Sequence, residues 1–272
     1  MSANYDDKLK ELAWFKLHPQ LLPFIGHNYN EYKILQIGES HYIDRTKDND
    51  KFDICYFRDN WWNSSCDDLV KMFDDSNRYN GCWFDTKRVL DNYLAGKDGS
   101  YSIFINVVKS FSKVILDKEI SHITLEDKQL YNNFAFMNFY QMPSLYNGLS
   151  YWNSLVKSAK YIHKDNKKQA ENLAREVFRR CVRTSIQAVN DVIDTIKPNI
   201  IIFTSISAKK AYTGLEYENC IGKYKDDERI IYASHPATPF SWNRKLKALN
   251  NKTGEQIVEE GLIRLKPKKI II

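Results

Sequence analysis

The strongest constraint in this sequence is a junction in its C-terminal half. A stretch from Asn166 to Ile196 is halted by Pro198, and the run Asn199–Phe203 (NIIIF) follows at once. In the first segment Leu173, Val177, Cys181, Val189, Ile193 and Ile196 recur at helical spacing, so one face is apolar. Pro198 closes that helix because the residue before a proline avoids helical angles. The second segment is a continuous apolar run without alternation, which suits a strand covered on both faces in a parallel sheet. A long amphipathic helix feeding a doubly covered strand is the repeating unit of an α/β fold.

The same alternation runs through the rest of the chain. Lys33–Ile37 (KILQI), Phe134–Tyr140 (FAFMNFY) and Arg229–Ala233 read as strands, and Asp6–Leu17, Thr86–Leu94, Ser207–Leu215 and Ser241–Asn250 as helices. Ile103–Leu116 permits a helix, although its first half, Ile103–Val108, also suits a buried strand. Strands separated by helices predict a three-layer α/β/α sandwich around a mainly parallel central sheet of about four strands. A length of 272 residues fits one domain over 1–272 better than two. Residues 44–66, rich in Asp, Asn and aromatics, read as a loop insertion on the surface.

Charge and cysteine usage narrow the partners. Between Lys157 and Arg183 there are nine Lys or Arg against three acids, and Arg264, Lys266, Lys268 and Lys269 form a second basic cluster. Such patches attract phosphate backbones and acidic surfaces, or serve only as solvated helix faces. Aromatic residues make up 14% of the chain, enough for a core and for flat faces on which bases stack. Five cysteines without C-x-x-C spacing argue against a disulfide framework, a zinc knuckle or an iron–sulfur cluster, so no metal or cofactor is expected. The polar N-terminus and the shortness of every apolar run predict a soluble, cytoplasmic monomer without membrane spans.

Three segments after predicted strands carry the candidate chemistry. Gly38–Tyr42 (GESHY) brings Glu39, Ser40 and His41 to a sheet edge, with Gly38 permitting a tight turn. Asn138, first of Asn138–Ser144, is an amide among Phe136, Met137, Phe139 and Tyr140. It either satisfies the backbone or reads a ligand edge as donor and acceptor at once. His235–Arg244 (HPATPFSWNR) holds a histidine at its start, two prolines that stiffen it and an apolar tip. A histidine so placed can donate to developing negative charge, and an apolar tip can wedge into a base stack.

Taken in order, these segments resemble the uracil-DNA glycosylase superfamily. Its members carry a first motif of the GQDPYH, GINPG or GEAPG type, an Asn in the middle strand, and a last motif of the HPSPLS type often followed by Arg. The resemblance covers about residues 33–244, and the HP segment is its most specific part. It implies a DNA partner, base flipping and hydrolysis of the N-glycosidic bond. It also implies that His235 stabilises the departing base and that Asn138 reads the base edge. Tyr42 would line the pocket and Phe57 stack on the base. Phe240 would fill the gap in the duplex, while Ser241 and Arg244 would hold phosphates.

The chain departs from that pattern at the position of the water-orienting Asp, which is Ser40 here, and at the motif Pro, which is His41. Glu39 matches the GEAPG type, whose four cluster-binding cysteines are missing. Either Glu39 or His41 activates water, or the protein binds nucleic acid without cleaving it. Two further readings stay open. One is a small-molecule hydrolase, built on a GExH motif or on Ser40 as nucleophile with His235 as base. The other is a non-catalytic nucleic-acid or nucleotide-binding module on the same fold.

Overall fold

The computed structural model describes residues 5–42, 53–63, 85–97, 101–146, 149–215, 220–237 and 242–266. The chain opens with α1 (Tyr5–Lys10) and α2 (Ala13–Leu17), two helices where the periodicity predicts one, because Leu12 between them is extended at ψ 130°. Then come β1 (Phe24–Ile25), α3 (Tyr29–Tyr32), β2 (Ile34–Tyr42), α4 (Ile54–Asn60), α5 (Thr86–Leu94), α6 (Ser102–Ile115), α7 (Leu125–Gln129) and β3 (Phe134–Ser144). The C-terminal half holds α8 (Tyr151–Ile162), α9 (Lys167–Ile196), β4 (Ile200–Phe203), α10 (Ile206–Tyr212), β5 (Ile230–Tyr232) and α11 (Gly254–Leu265).

The sheet order is β1-β3-β2-β4-β5, with β3, β2, β4 and β5 mutually parallel. The fifth strand, β1, pairs antiparallel with β3 through Phe24↔Phe136 and Ile25↔Ala135, so the sheet is mixed and has five strands rather than four. Two residues between Pro23 and Gly26 are too short to show a period in sequence.

The two polar segments expected at the ends of the first two predicted strands are themselves strand. Gly38–Tyr42 continues β2 and Asn138–Ser144 continues β3, because the polar tails pair with each other: Gly38↔Asn138, Ser40↔Tyr140, Tyr42↔Ser144. The register shifts between Ser40 and Tyr42, and such an irregularity lets Pro143 sit inside a strand. The insertion expected at 44–66 is helical where described. Asp53 caps α4 through the Cys55 and Tyr56 N–H groups, and Ile54, Phe57 and Trp61 are buried core residues. Of the helix expected over Ser241–Asn250, the described part holds a single-turn 3-10 segment at Lys247–Leu249.

Helices cover both faces. Leu35, Ile37, Ala135, Met137, Ile201 and Phe203 pack under α8, α9 and α10, while Ile34, Phe134, Phe136, Ile200 and Ile202 pack under α5, α6 and α11. Gln36 interrupts the second set, yet it is fully buried and satisfied. Its Oε1 accepts from Tyr131 Oη at 2.8 Å, and its Nε2 donates to the Ile103 carbonyl at 3.1 Å. Tyr131→Phe leaves a buried carbonyl oxygen without its donor and is expected to cost about 1–3 kcal/mol in a urea titration. An unchanged midpoint would mean that water or a neighbour replaces the phenol.

A second buried polar group ties α2 to the turn after α4. His18 is 0% exposed and lies between Trp14 (centroids 4.2 Å) and Trp61 (4.4 Å, stacked), with both ring nitrogens lacking a hydrogen bond. Desolvation lowers its pKa to about 4, with the Trp61 backbone acting in the opposite direction. The unfolded chain therefore binds this proton more tightly. The stability from neutral His18 is complete above the unfolded value of about 6.5 and is lost as pH falls toward 4. That gap is worth roughly 3 kcal/mol, so melting curves between neutral pH and pH 4 should fall steeply for the wild type and less for His18→Phe. Parallel pH dependences for the two proteins would place the acid sensitivity elsewhere.

Candidate active site

The chain leaves β2 for β3 on one side and returns to β4 on the other, so the C-terminal ends of β2 and β4 form a topological switch point. In an open parallel sheet this is where connections diverge and leave a crevice for ligands. Glu39, on β2, stands there. Its Oε2 accepts from Ser205 Oγ at 2.8 Å, and the Tyr151 backbone adds a second hydrogen bond. Ser205 is fixed in turn as the N-cap of α10, where its Oγ also accepts from the Ala208 N–H at 3.1 Å. Desolvation raises the Glu39 pKa, and the two hydrogen bonds act against it. The result is a carboxylate made more basic by its surroundings yet held in one orientation.

Around Glu39 the packing is aromatic. Tyr140 stacks on Tyr151 at 3.8 Å and 5°, and its phenol lies 2.9 Å from Ser207 Oγ. Ser205 and Ser207, at the start of α10, thus reach residues of both β2 and β3. Tyr42 has its pKa pushed up to about 12, first by desolvation and then by the Glu39 carboxylate, with the Ser40 hydroxyl opposing. A neutral phenol thus stands beside the half-buried Glu39 carboxylate.

Asn138 faces Gly38 across the ladder. A Cβ on Gly38 would lie 2.5 Å from Asn138 Oδ1 and 3.0 Å from the Phe136 ring, so glycine is what admits the amide here. Among the described residues the Asn138 side chain makes no hydrogen bond; its backbone carbonyl accepts from Gln141 Nε2 at 2.6 Å. His41 goes elsewhere: its Nε2 is 3.1 Å from Thr86 Oγ1 on α5, whose Leu90 and Tyr93 pack in the opposite layer from Tyr151.

His235 follows β5 at the same edge, two strands from β2, or roughly 10 Å at about 4.8 Å per strand. The segment after β5 is pinned from below. Asn106 Nδ2 donates to the Pro236 carbonyl at 2.8 Å, and Trp242 is buried where a Cβ on Gly254 would come within 2.7 Å of its ring. The His235 Nδ1 accepts from the Ala237 N–H at 3.2 Å, so the neutral ring carries its proton on Nε2. Desolvation lowers its pKa to about 4, which keeps the half-buried ring neutral at pH 7.

Glu39, Tyr42 and Asn138 are therefore neighbours on β2 and β3, with His235 at the same sheet edge. Phe57 is 0% exposed between Tyr56 and Trp61, so the stacking face expected of it is used up in the core. Arg244 is exposed after the Trp242 anchor, and Phe240 and Ser241 lie outside the described residues. Ser205 and Tyr151 are the partners that sequence reading missed. Ser205 was within reach, since a serine after NIIIF opens a helix. Tyr151 gives no local signal. Among the described residues no three His, Cys, Asp or Glu side chains converge to hold a metal ion, and no helix is long and apolar enough to cross a membrane.

The chain matches no protein-family model, no curated protein and no solved structure. What the site can do rests on its own chemistry: a desolvated carboxylate, an uncommitted amide and a neutral histidine donor on one sheet edge.

Proposed function

We propose that this protein is a base-excision hydrolase of the uracil-DNA glycosylase kind, acting on a nucleotide extruded from DNA. The observation that carries this reading is Glu39, a half-buried and oriented carboxylate at the switch point with the Asn138 amide across Gly38. In the proposed reaction Glu39 takes a proton from a water molecule, whose oxygen bonds to the sugar carbon as the N-glycosidic bond breaks. The bonding electrons leave with the base. The Nε2–H of His235 donates to the negative charge that grows there. Asn138 reads the base edge with its amide donor and acceptor, and the Tyr42 ring limits what fits beside it. Glu39 thereby takes the role of general base, which the neutral Ser40 hydroxyl cannot fill. The esterase reading needs a histidine base at Ser40, whereas Ser40 neighbours the Tyr42 phenol and pairs with Tyr140.

The test is incubation with oligonucleotides holding uracil, hypoxanthine or xanthine, followed by alkaline cleavage at abasic sites. Strand scission at one of these positions is the expected result. Hydrolysis of an aryl ester with no abasic product from any oligonucleotide would overturn the reading in favour of a small-molecule hydrolase.

A further inference from the structure

We propose that the outer face of α9 is a binding track for the phosphodiester backbone of a nucleic-acid strand, built by Arg175, Arg179, Arg180 and Arg183. These side chains, with Asn172 and Glu176, line an open groove of about 520 Å³. Four of the chain's eleven arginines fall in nine consecutive residues. Arg175, Arg179 and Arg183 form an i, i+4, i+8 row whose members rise about 6 Å apart along the helix. The row spans about 12 Å, the length of three to four stacked nucleotides at about 3.4 Å each.

The residue type supports this partner. The five basic residues from Lys157 to Lys168 are all lysine, whereas the four in the groove are all arginine. A lysine supplies a point charge; an arginine supplies a planar fork that meets two phosphate oxygens at once. Two of the forks are held in place by rings. Arg180 lies over Trp62 at 5.1 Å and Arg175 over Trp152 at 5.9 Å, so less freedom is lost when an anion binds. Among the described residues no carboxylate forms an ion pair with Arg175, Arg180 or Arg183, and the ion pairs Lys167–Glu171 and Asp194–Lys223 on this helix lie outside the groove. With Glu176 as the acid in the groove, four positive charges against one negative leave +3 on a small surface. Such a concentration of like charge is a standing attraction for a polyanion.

An acidic membrane fits less well, because the groove residues are all polar or charged and offer nothing apolar to bury in lipid. The track does not depend on the reading of Glu39, since backbone binding needs no chemistry at the switch point. The inner face of the same helix reaches that region, through Cys181 to the Tyr151 phenol at 3.0 Å and Ser185 to the Gln141 N–H at 3.0 Å.

The experiment is fluorescence anisotropy of a labelled, lesion-free single strand of about 16 nucleotides, titrated from roughly 50 to 200 mM salt. The proteins are the wild type, Arg175→Gln/Arg183→Gln and Arg175→Lys/Arg183→Lys. The double Gln variant should bind at least tenfold more weakly at the lowest salt. Its log–log salt slope should be shallower by about 1.4, two phosphates at about 0.7 each on a single strand. The Lys variant should keep the wild-type slope and lose part of the affinity. The strand carries no lesion and the readout is binding alone, so a failure of the glycosylase reading leaves this result untouched. All four arginines are exposed, so unchanged melting temperatures are expected. Wild-type affinity and slope in the double Gln variant would overturn the track. So would an equal loss of binding to vesicles of phosphatidylcholine and phosphatidylserine, which would show a general anion surface.

Discussion

Glu39→Gln is expected to reduce single-turnover base excision by about 10²–10⁴-fold, the range for a positioned general base. The amide is nearly isosteric, and its oxygen can still accept from Ser205 Oγ, so the side chain keeps its place. Stability should move the other way. Burial makes the folded protein hold the Glu39 proton more tightly than the unfolded chain does. The ionised form is therefore destabilising above the folded pKa, and the Gln variant should melt at or above the wild-type temperature near pH 7. The pH–rate curve follows from the same shift. A base works above its pKa, so the acidic limb of the wild type should lie above the usual glutamate value of about 4.3. His235→Ala should lose about 10²–10³-fold by removing one donor to the leaving base. A Glu39→Gln enzyme that keeps its rate and its acidic limb would move water activation to another residue, with His41 beside Thr86 the next to vary.

Phe104→Ala is expected to cost about 3–5 kcal/mol, the typical range for an aromatic truncated in a core. Phe104, on α6, is 1% exposed and meets Tyr93, Tyr131 and Phe136 with ring centroids 5.0–5.2 Å away. Its ring fills the layer between α5, α6 and β3. Chemical denaturation should show a lower midpoint with little change in slope. The loss should exceed that of Tyr131→Phe, which removes one hydroxyl and leaves no cavity. A cost under about 1 kcal/mol would mean that this layer collapses around the gap.

Several elements were legible because their signal is local. The α9 period, ended by Pro198, gave a helix within one residue of its observed start, with Asn166 capping it through the Gln169 N–H at 3.0 Å. Thr86–Leu94 is helical over the whole predicted range. The ambiguous Ile103–Val108 became helix, because its apolar residues lie on the face of α6 packed against the sheet rather than in it. Strand lengths were misread for a non-local reason. GESHY and NFYQMPS look like the ends of strands, and only their pairing with each other keeps both extended.

The candidate site divides along the same line. Sequence by itself determined the α/β class, the position of three polar segments after apolar runs, and the residue types that bring chemistry to them. Those follow from side-chain period, proline placement and charge, all properties of neighbours along the chain. Only the tertiary structure decided which of these groups work together. It joined Glu39 to Ser205 across 166 residues, sent His41 to Thr86, spent the Phe57 ring in the core and set Asn138 over the bare Cα of Gly38. The physical reason is that sheet order, which sets strand neighbours and the switch point, depends on how long segments pack rather than on any short stretch of sequence. A carboxylate becomes basic through what buries it, and the atoms that bury Glu39 come from distant parts of the chain.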